Sequence, residues 1–229
     1  EARSLSTRIK LRQQENSDIP PLSALRNSAV ARRAARVLLA GSMVSRYRMF
    51  YDTVVRPDLL SKMQYSNVHM IPKIEKVTVS IATRMKPTGL DNPIAAAFAL
   101  ELITGQQAQL TRVKRANAKY KVRPGVLEGA KVVLHGDNMY HFIDRLVTTV
   151  LPRITDFEGL DRRSFDAHGG YTIGIRDWSN FIEVESQHEN LQAFGLQQTP
   201  GLGVQIVTSA ASELEAHMLL SALRFPFKK

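Results

Sequence analysis

The chain has 229 residues, room for one or two domains with a sizeable core, and 44% of them are hydrophobic. It contains no cysteine, which excludes disulfides, thiolate metal sites and cysteine catalysis. Its formal charge of +10 is unevenly placed: residues 1–135 carry 23 Lys+Arg against 9 Asp+Glu (+14), and residues 136–229 carry 8 against 12 (−4). Such asymmetry fits one face for a polyanion and another for a different partner.

Residues 1–14 hold Glu1 as their only acid and are rich in Arg and Ser. That composition fits the end of an organellar transit peptide and a disordered basic tail equally well. Residues 1–27 read as irregular, with Pro20-Pro21 interrupting any helix. A basic helix is expected from Ser28 to about Leu39, where Arg32, Arg33 and Arg36 share a face, and Gly41 is a plausible stop. A second helix is expected over Met49–Met63, with a break near Pro57.

The β-branched run Ile74–Ile81 reads as a strand. Asp91 is expected to cap a helix with Pro93 in its first turn, apolar through Ile103, with Gly105 past its end. Ala130–Leu134 reads as a strand. Asp137 is expected to cap an amphipathic helix carrying Met139, Phe142, Ile143, Leu146, Val147 and Val150, ended by Pro152. Tyr171–Ile175 and Gly203–Thr208 read as strands, and Ser212 with Glu215 as the capping box of a last helix to Leu223. Strands and helices mix without a βαβ rhythm. The expected fold is α+β: an antiparallel sheet with helices packed on one side, plus a basic, partly helical N-terminal extension. The expected division is an extension over 1–45 and a domain over 46–229. No apolar run approaches the roughly 20 residues that cross a bilayer, so no membrane span is expected.

Between Gln109 and Gly125 six cations (Arg112, Lys114, Arg115, Lys119, Lys121, Arg123) meet no carboxylate, and Tyr120 sits between two lysines. Ionised side chains are costly to bury unpaired, so the segment needs either water or an external anion. A solvated loop is the bland reading. The missing acids, the stacking face of Tyr120 and the Pro124-Gly125 turn favour a phosphate backbone.

Catalytic chemistry has little support. Gly125…Gly129-Ala-Lys131 has the wrong spacing for a phosphate loop, and the glycines from 195 to 203 match no dinucleotide fingerprint. The six histidines form no H-x-x-x-H pair. Asp156, Asp161 and Asp166 alternate with Arg153, Arg162 and Arg163, which reads as a locally paired, solvated loop. Glu183, Glu185 and Glu189, near Trp178 and Phe181, read either as a surface strand edge or as a contact for a basic protein. No enzyme and no cofactor are expected.

Colinear strings over about Arg46–Lys229 resemble the large-subunit ribosomal protein five family, the universal protein of the central protuberance. They are Ile103-Thr-Gly-Gln106, Thr111-Arg-Val-Lys-Arg115, Tyr120-Lys-Val-Arg-Pro-Gly125, Lys131-Val-Val-Leu134 with Gly136, Leu151-Pro-Arg-Ile-Thr-Asp-Phe-Glu-Gly-Leu160, Ser164-Phe-Asp, Gly170-Tyr-Thr-Ile-Gly-Ile-Arg176 and Phe225-Pro-Phe-Lys-Lys. The resemblance implies a structural constituent of the large subunit that binds rRNA and other central protuberance proteins. It implies that Lys114, Arg115, Lys119, Tyr120, Lys121 and Arg123 contact peptidyl-site tRNA. It also implies that the segments Thr155–Asp166 and Asp177–Asn190 face a basic protein of the small-subunit head, with Arg162, Arg163, Glu183 and Glu185 as bridge residues. Arg32, Arg33, Arg36, Lys73, Arg112 and Lys131 are the expected rRNA contacts. The alternative is an RNA-binding ribosome assembly factor that uses the same fold.

Two positions depart from the family pattern. Ser80-Ile-Ala-Thr-Arg84 stands where the family has Asn and a Gly-rich turn, and Val133 replaces a Thr. Both family side chains are polar contacts to 5S rRNA, and Thr→Val removes a hydroxyl. With the basic extension, this points to a mitochondrial ribosome, located in the matrix. 5S rRNA is then a doubtful partner, as in a fungal type that lacks it.

Overall fold

The N-terminal helix of the domain shows how proline is fitted into a regular element. The computed structural model describes residues 45–83, 85–86, 89–90, 93–116, 118, 122–193 and 200–228. Helix α1 (Arg46–Phe50) runs through a π-turn (Tyr51–Val55) into α2 (Arg56–Met63), with no break at Pro57. Pro57 lacks an N–H and its ring would meet the carbonyl four residues back. The wider π-turn, where Arg56 N–H bonds Tyr51 C=O, absorbs that misfit. The same device recurs later. Helix α4 (Gly136–Arg145) passes through a π-turn (Leu146–Val150) into α5 (Leu151–Arg153), so the helix goes on past Pro152 and ends at Ile154. The expected stop at Pro152 is therefore corrected. So is the expected cap: His135 holds the N-cap position, and Asp137 lies in the first turn, paired with Arg48 at 2.9 Å.

Five antiparallel strands form the main sheet in the order β4-β5-β1-β7-β6. Their spans are β1 Ile74–Ala82, β4 Gln109–Arg112, β5 Leu127–Leu134, β6 Tyr171–Ile175 and β7 Leu202–Thr208. Two short strands, β2 (Met85–Lys86) and β3 (Gly89–Leu90), pair separately. Strand β5 starts three residues earlier than its apolar run indicates, because Leu127, Gly129 and Ala130 pair with β4.

Alternation decides which face is buried. In the central strand Val77, Val79 and Ile81 are at most 2% exposed, and Ser80 is exposed. Helix α3 (Pro93–Thr104) lies against the buried face, where Ala96, Ala99, Leu100 and Ile103 are fully enclosed. Small alanines let its backbone come close to the sheet. Helix α4 packs against α1 and β1, with Phe142 and Ile143 in the core. The Tyr47 hydroxyl donates to Leu223 C=O, tying α1 to the end of the last helix (Glu213–Ala222). Burial pushes that phenol up to about 12. The Ser212/Glu215 cap forms as expected: Ser212 Oγ accepts the Glu215 N–H at 3.4 Å, and the Glu215 carboxylate accepts the Ala211 N–H at 3.0 Å. The α+β reading, with helices on one face of an antiparallel sheet, holds. The expected basic helix over 28–39 and the Asp91 cap lie outside the described residues.

Candidate nucleic-acid interface

Strands β4 and β5 form a hairpin, and the basic segment is its tip. Leu110 pairs with Ala130 and Thr111 with Gly129, and then the register shifts so that Arg112 faces Leu127. Such a shift bends and twists the ribbon. The neck closes where Val113 N–H donates to Val126 C=O at 2.9 Å and Gly125 N–H donates to Val113 C=O at 3.0 Å. Gly125 has φ +84°, a conformation that glycine adopts without a Cβ penalty, and Pro124 precedes it. The sequence reading missed β4, whose Q-L-T-R string is short and lies inside a run of cations.

Arg112, Lys114, Arg115 and Arg123 are exposed on this hairpin. None of them enters the six ion pairs found among the described residues. Their charge is therefore open to an external anion. Lys119, Tyr120 and Lys121 lie outside the described residues, as do Arg32, Arg33 and Arg36.

The other expected RNA contacts do not converge on the tip. Lys131 stands on the face of the sheet opposite α3, in a row running Gln109, Lys131, Ser80, Gly203, Gly174. Val133 is two positions along on the same face, opposite Thr78. Ser80 and Val133, the two positions expected to depart from the family pattern, are thus diagonal neighbours on a face that no described helix covers. That surface is flat at Gly203, where a Cβ would come within 3.2 Å of Ser80 Oγ. Lys73 precedes the other end of β1, about 30 Å from the hairpin neck at strand rise. Its backbone holds Ser209, and it borders a cleft that also contains Arg56 and His69.

In the second half three ion pairs join cations to acids within the chain. Glu183 and Glu185 belong to helix α6 (Ile182–Glu185), which corrects the strand-edge reading. Arg145 donates to the Glu183 carboxylate and, at 2.8 Å, to Ile103 C=O. Arg153 donates to Glu185 at 2.7 Å. Trp178 and Phe181 are buried beneath them. Asp161 and Asp166 accept backbone N–H groups from Arg163 and Ala167, not arginine side chains as their spacing implied. Arg162 and Arg163 are exposed on the turn that Asp161 caps. Burial lowers the pKa of His217, with Arg162 adding to the effect. Its ring packs against those of Phe165 and Phe227, which also touch each other. No group of three or more metal-ligating side chains occurs among the described residues, and no helix among them is long and apolar enough to cross a membrane.

Family comparison accounts for both halves. Residues 67–123 match the model described as ribosomal protein L5, and residues 128–227 match the model of the ribosomal L5P family C-terminus. The chain is 36% identical over 186 residues to the large ribosomal subunit protein uL5m of Reclinomonas americana, covering 81% of this chain and 100% of that protein. It is 38% identical over 187 residues to uL5 of Limosilactobacillus fermentum, covering 82% of this chain and 100% of the relative. Against uL5 of Fusobacterium nucleatum it is 40% identical over 186 residues, covering 81% and 97%. The chain belongs to the uL5 family of ribosomal proteins, whose members are not enzymes.

Proposed function

We propose that the chain is a structural constituent of the large subunit of a mitochondrial ribosome, placed in the central protuberance. It binds large-subunit rRNA, reaches peptidyl-site tRNA with the β4–β5 tip, and faces a basic protein of the small-subunit head with its second half. The observation that carries the reading is the tip: Arg112, Lys114, Arg115 and Arg123 are exposed and have no ion-pair partner among the described residues. Backbone phosphates supply the missing counter-charge, and binding of that kind weakens with salt. The mitochondrial assignment draws on the acid-poor N-terminal 14 residues and on the mitochondrial relative from Reclinomonas. About a fifth of this chain lies outside the match to relatives that are themselves covered almost end to end, consistent with an added basic extension over 1–45.

Replacing Lys119, Lys121 and Arg123 by alanine is expected to weaken tRNA retention and leave subunit assembly intact. Failed assembly would make the loop an rRNA anchor instead. On the open face, Ser80 and Val133 replace two polar contacts side by side, so 5S rRNA is not held there in the bacterial way. RNA analysis of the purified particle tests this, and a 5S molecule seated against Ser80 and Val133 would overturn it.

A further inference from the structure

The sheet ends on β6, and that edge borders a cleft of about 580 Å³. Asp166 N–H donates to Gly170 C=O at 2.7 Å, and Phe165 makes a bridge to Tyr171, so a loop covers the start of the edge. Backbone groups alternate sides along a strand. Those of Thr172, Gly174 and Arg176 therefore share the side of the Gly170 carbonyl, while Tyr171, Ile173 and Ile175 turn theirs to β7. Beyond the bridge, the N–H and C=O of Gly174 open toward the cleft. A Cβ built on Gly174 meets nothing within 4 Å, so the sheet face at this residue is open as well. Proteins usually guard an exposed edge with proline, charge or a bulge. The middle of this edge, Ile173-Gly174-Ile175, has neither a proline nor a charge.

The far wall is the segment Ile154–Asp161. The lining carries Asp156, Glu158, Asp161 and Asp177 against two cations, Arg176 and Lys228. Lys228 is held by Glu158 at 2.7 Å. Arg162 and Arg163 lie in the next turn and are not part of the lining. A cleft with excess carboxylate repels phosphate, and a nucleic acid offers no alternating ladder of N–H and C=O to a strand.

From this we infer that the cleft receives an extended, lysine- or arginine-bearing segment of a partner protein, which adds to β6 as a sixth strand. Main-chain bonds to Gly174 supply the register, and the acidic wall selects basic side chains. The inference rests on the proposed protein-facing role of the second half and specifies how the partner is held.

The test uses the full chain and a synthetic ten-residue peptide alternating lysine and valine, with amide exchange read residue by residue. The peptide is expected to slow exchange at Gly174 and Arg176 at least tenfold, and a glutamate–valine counterpart is expected to do nothing. Gly174→Pro removes the N–H and should abolish binding, while Gly174→Ala should retain it. Asp156→Asn with Asp161→Asn should weaken binding several-fold. Protection confined to residues 155–161, equal binding by Gly174→Pro, or displacement of the peptide by oligouridylate RNA would each overturn the strand site. Because proline can distort a strand, the exchange pattern of the native chain decides independently of that variant. Ribosomes carrying Gly174→Pro separate the two readings. If the peptide no longer binds but the subunits join normally, the strand site stands and the small-subunit bridge falls.

Discussion

At the β4–β5 tip, Arg112, Lys114, Arg115 and Arg123 are exposed and have no ion-pair partner among the described residues. Across the molecule, Arg145 and Arg153 are no less charged, yet each is bound to a glutamate of α6, and Arg145 also holds the end of α3 through Ile103 C=O. The two regions contain similar residues with opposite uses. On the helical side charge joins one element to another; at the tip it is left over for a partner. Composition reports the sum of both and cannot separate them, because pairing depends on which helices the fold brings together.

The difference can be broken most severely from the helical side. Phe142 is 1% exposed and stacks on Phe181 at 6.2 Å between centroids. Phe142→Ala should cost about 3–5 kcal/mol in urea unfolding, as buried aromatic truncations do. Arg145→Met should cost about 1–3 kcal/mol, since it leaves Glu183 and the Ile103 carbonyl without their donor, with part-exposure holding it to the lower end. Combined with Glu183→Gln, the loss should be less than additive.

The tip should respond in the reverse sense. Lys114→Ala, Arg115→Ala and Arg123→Ala should each change stability by less than about 0.5 kcal/mol. Together they should reduce the salt slope of RNA binding by about 3, roughly one for each lost phosphate contact. The smallest expected effect is on pH dependence. His217 has its pKa lowered from 6.5, mainly by burial, so its neutral form is favoured in the fold. The unfolded chain takes up the proton first as pH falls. The contribution is therefore complete above 6.5 and is lost as pH drops through the lowered folded value. His217→Leu should flatten that part of a Tm–pH profile.

Much of this was legible in the sequence, for identifiable reasons. The strands Tyr171–Ile175 and Leu202–Thr208 alternate cleanly, and Ile74–Ala82 does so beyond the bulge between Ile74 and Lys76, because one face is buried and the other is not. Helix α4 shows a full apolar stripe, and the Ser212/Glu215 cap is a local hydrogen-bond pattern that needs no tertiary context. Strand β4 escaped notice because pairing with β5, not its own apolar content, makes it a strand. That the helices continue through Pro57 and Pro152 is not legible in the sequence, since π-turns upstream accommodate the missing N–H. The basic tip was visible as a run of cations without acids. The pairing of Glu183 and Glu185 was not, because Arg145 and Arg153 are more than thirty residues away in the chain. For the same reason the cleft beside β6 has no signature in any single segment.

Site-specific photo-crosslinking in the intact ribosome bears most directly on the contrast between the two regions. A crosslinker placed at Arg115 should capture RNA, and one placed at Asp156 should capture protein. Protein alone at Arg115, together with RNA at Asp156, would contradict the assignment of the open charges to phosphate and of the acidic wall to a basic partner.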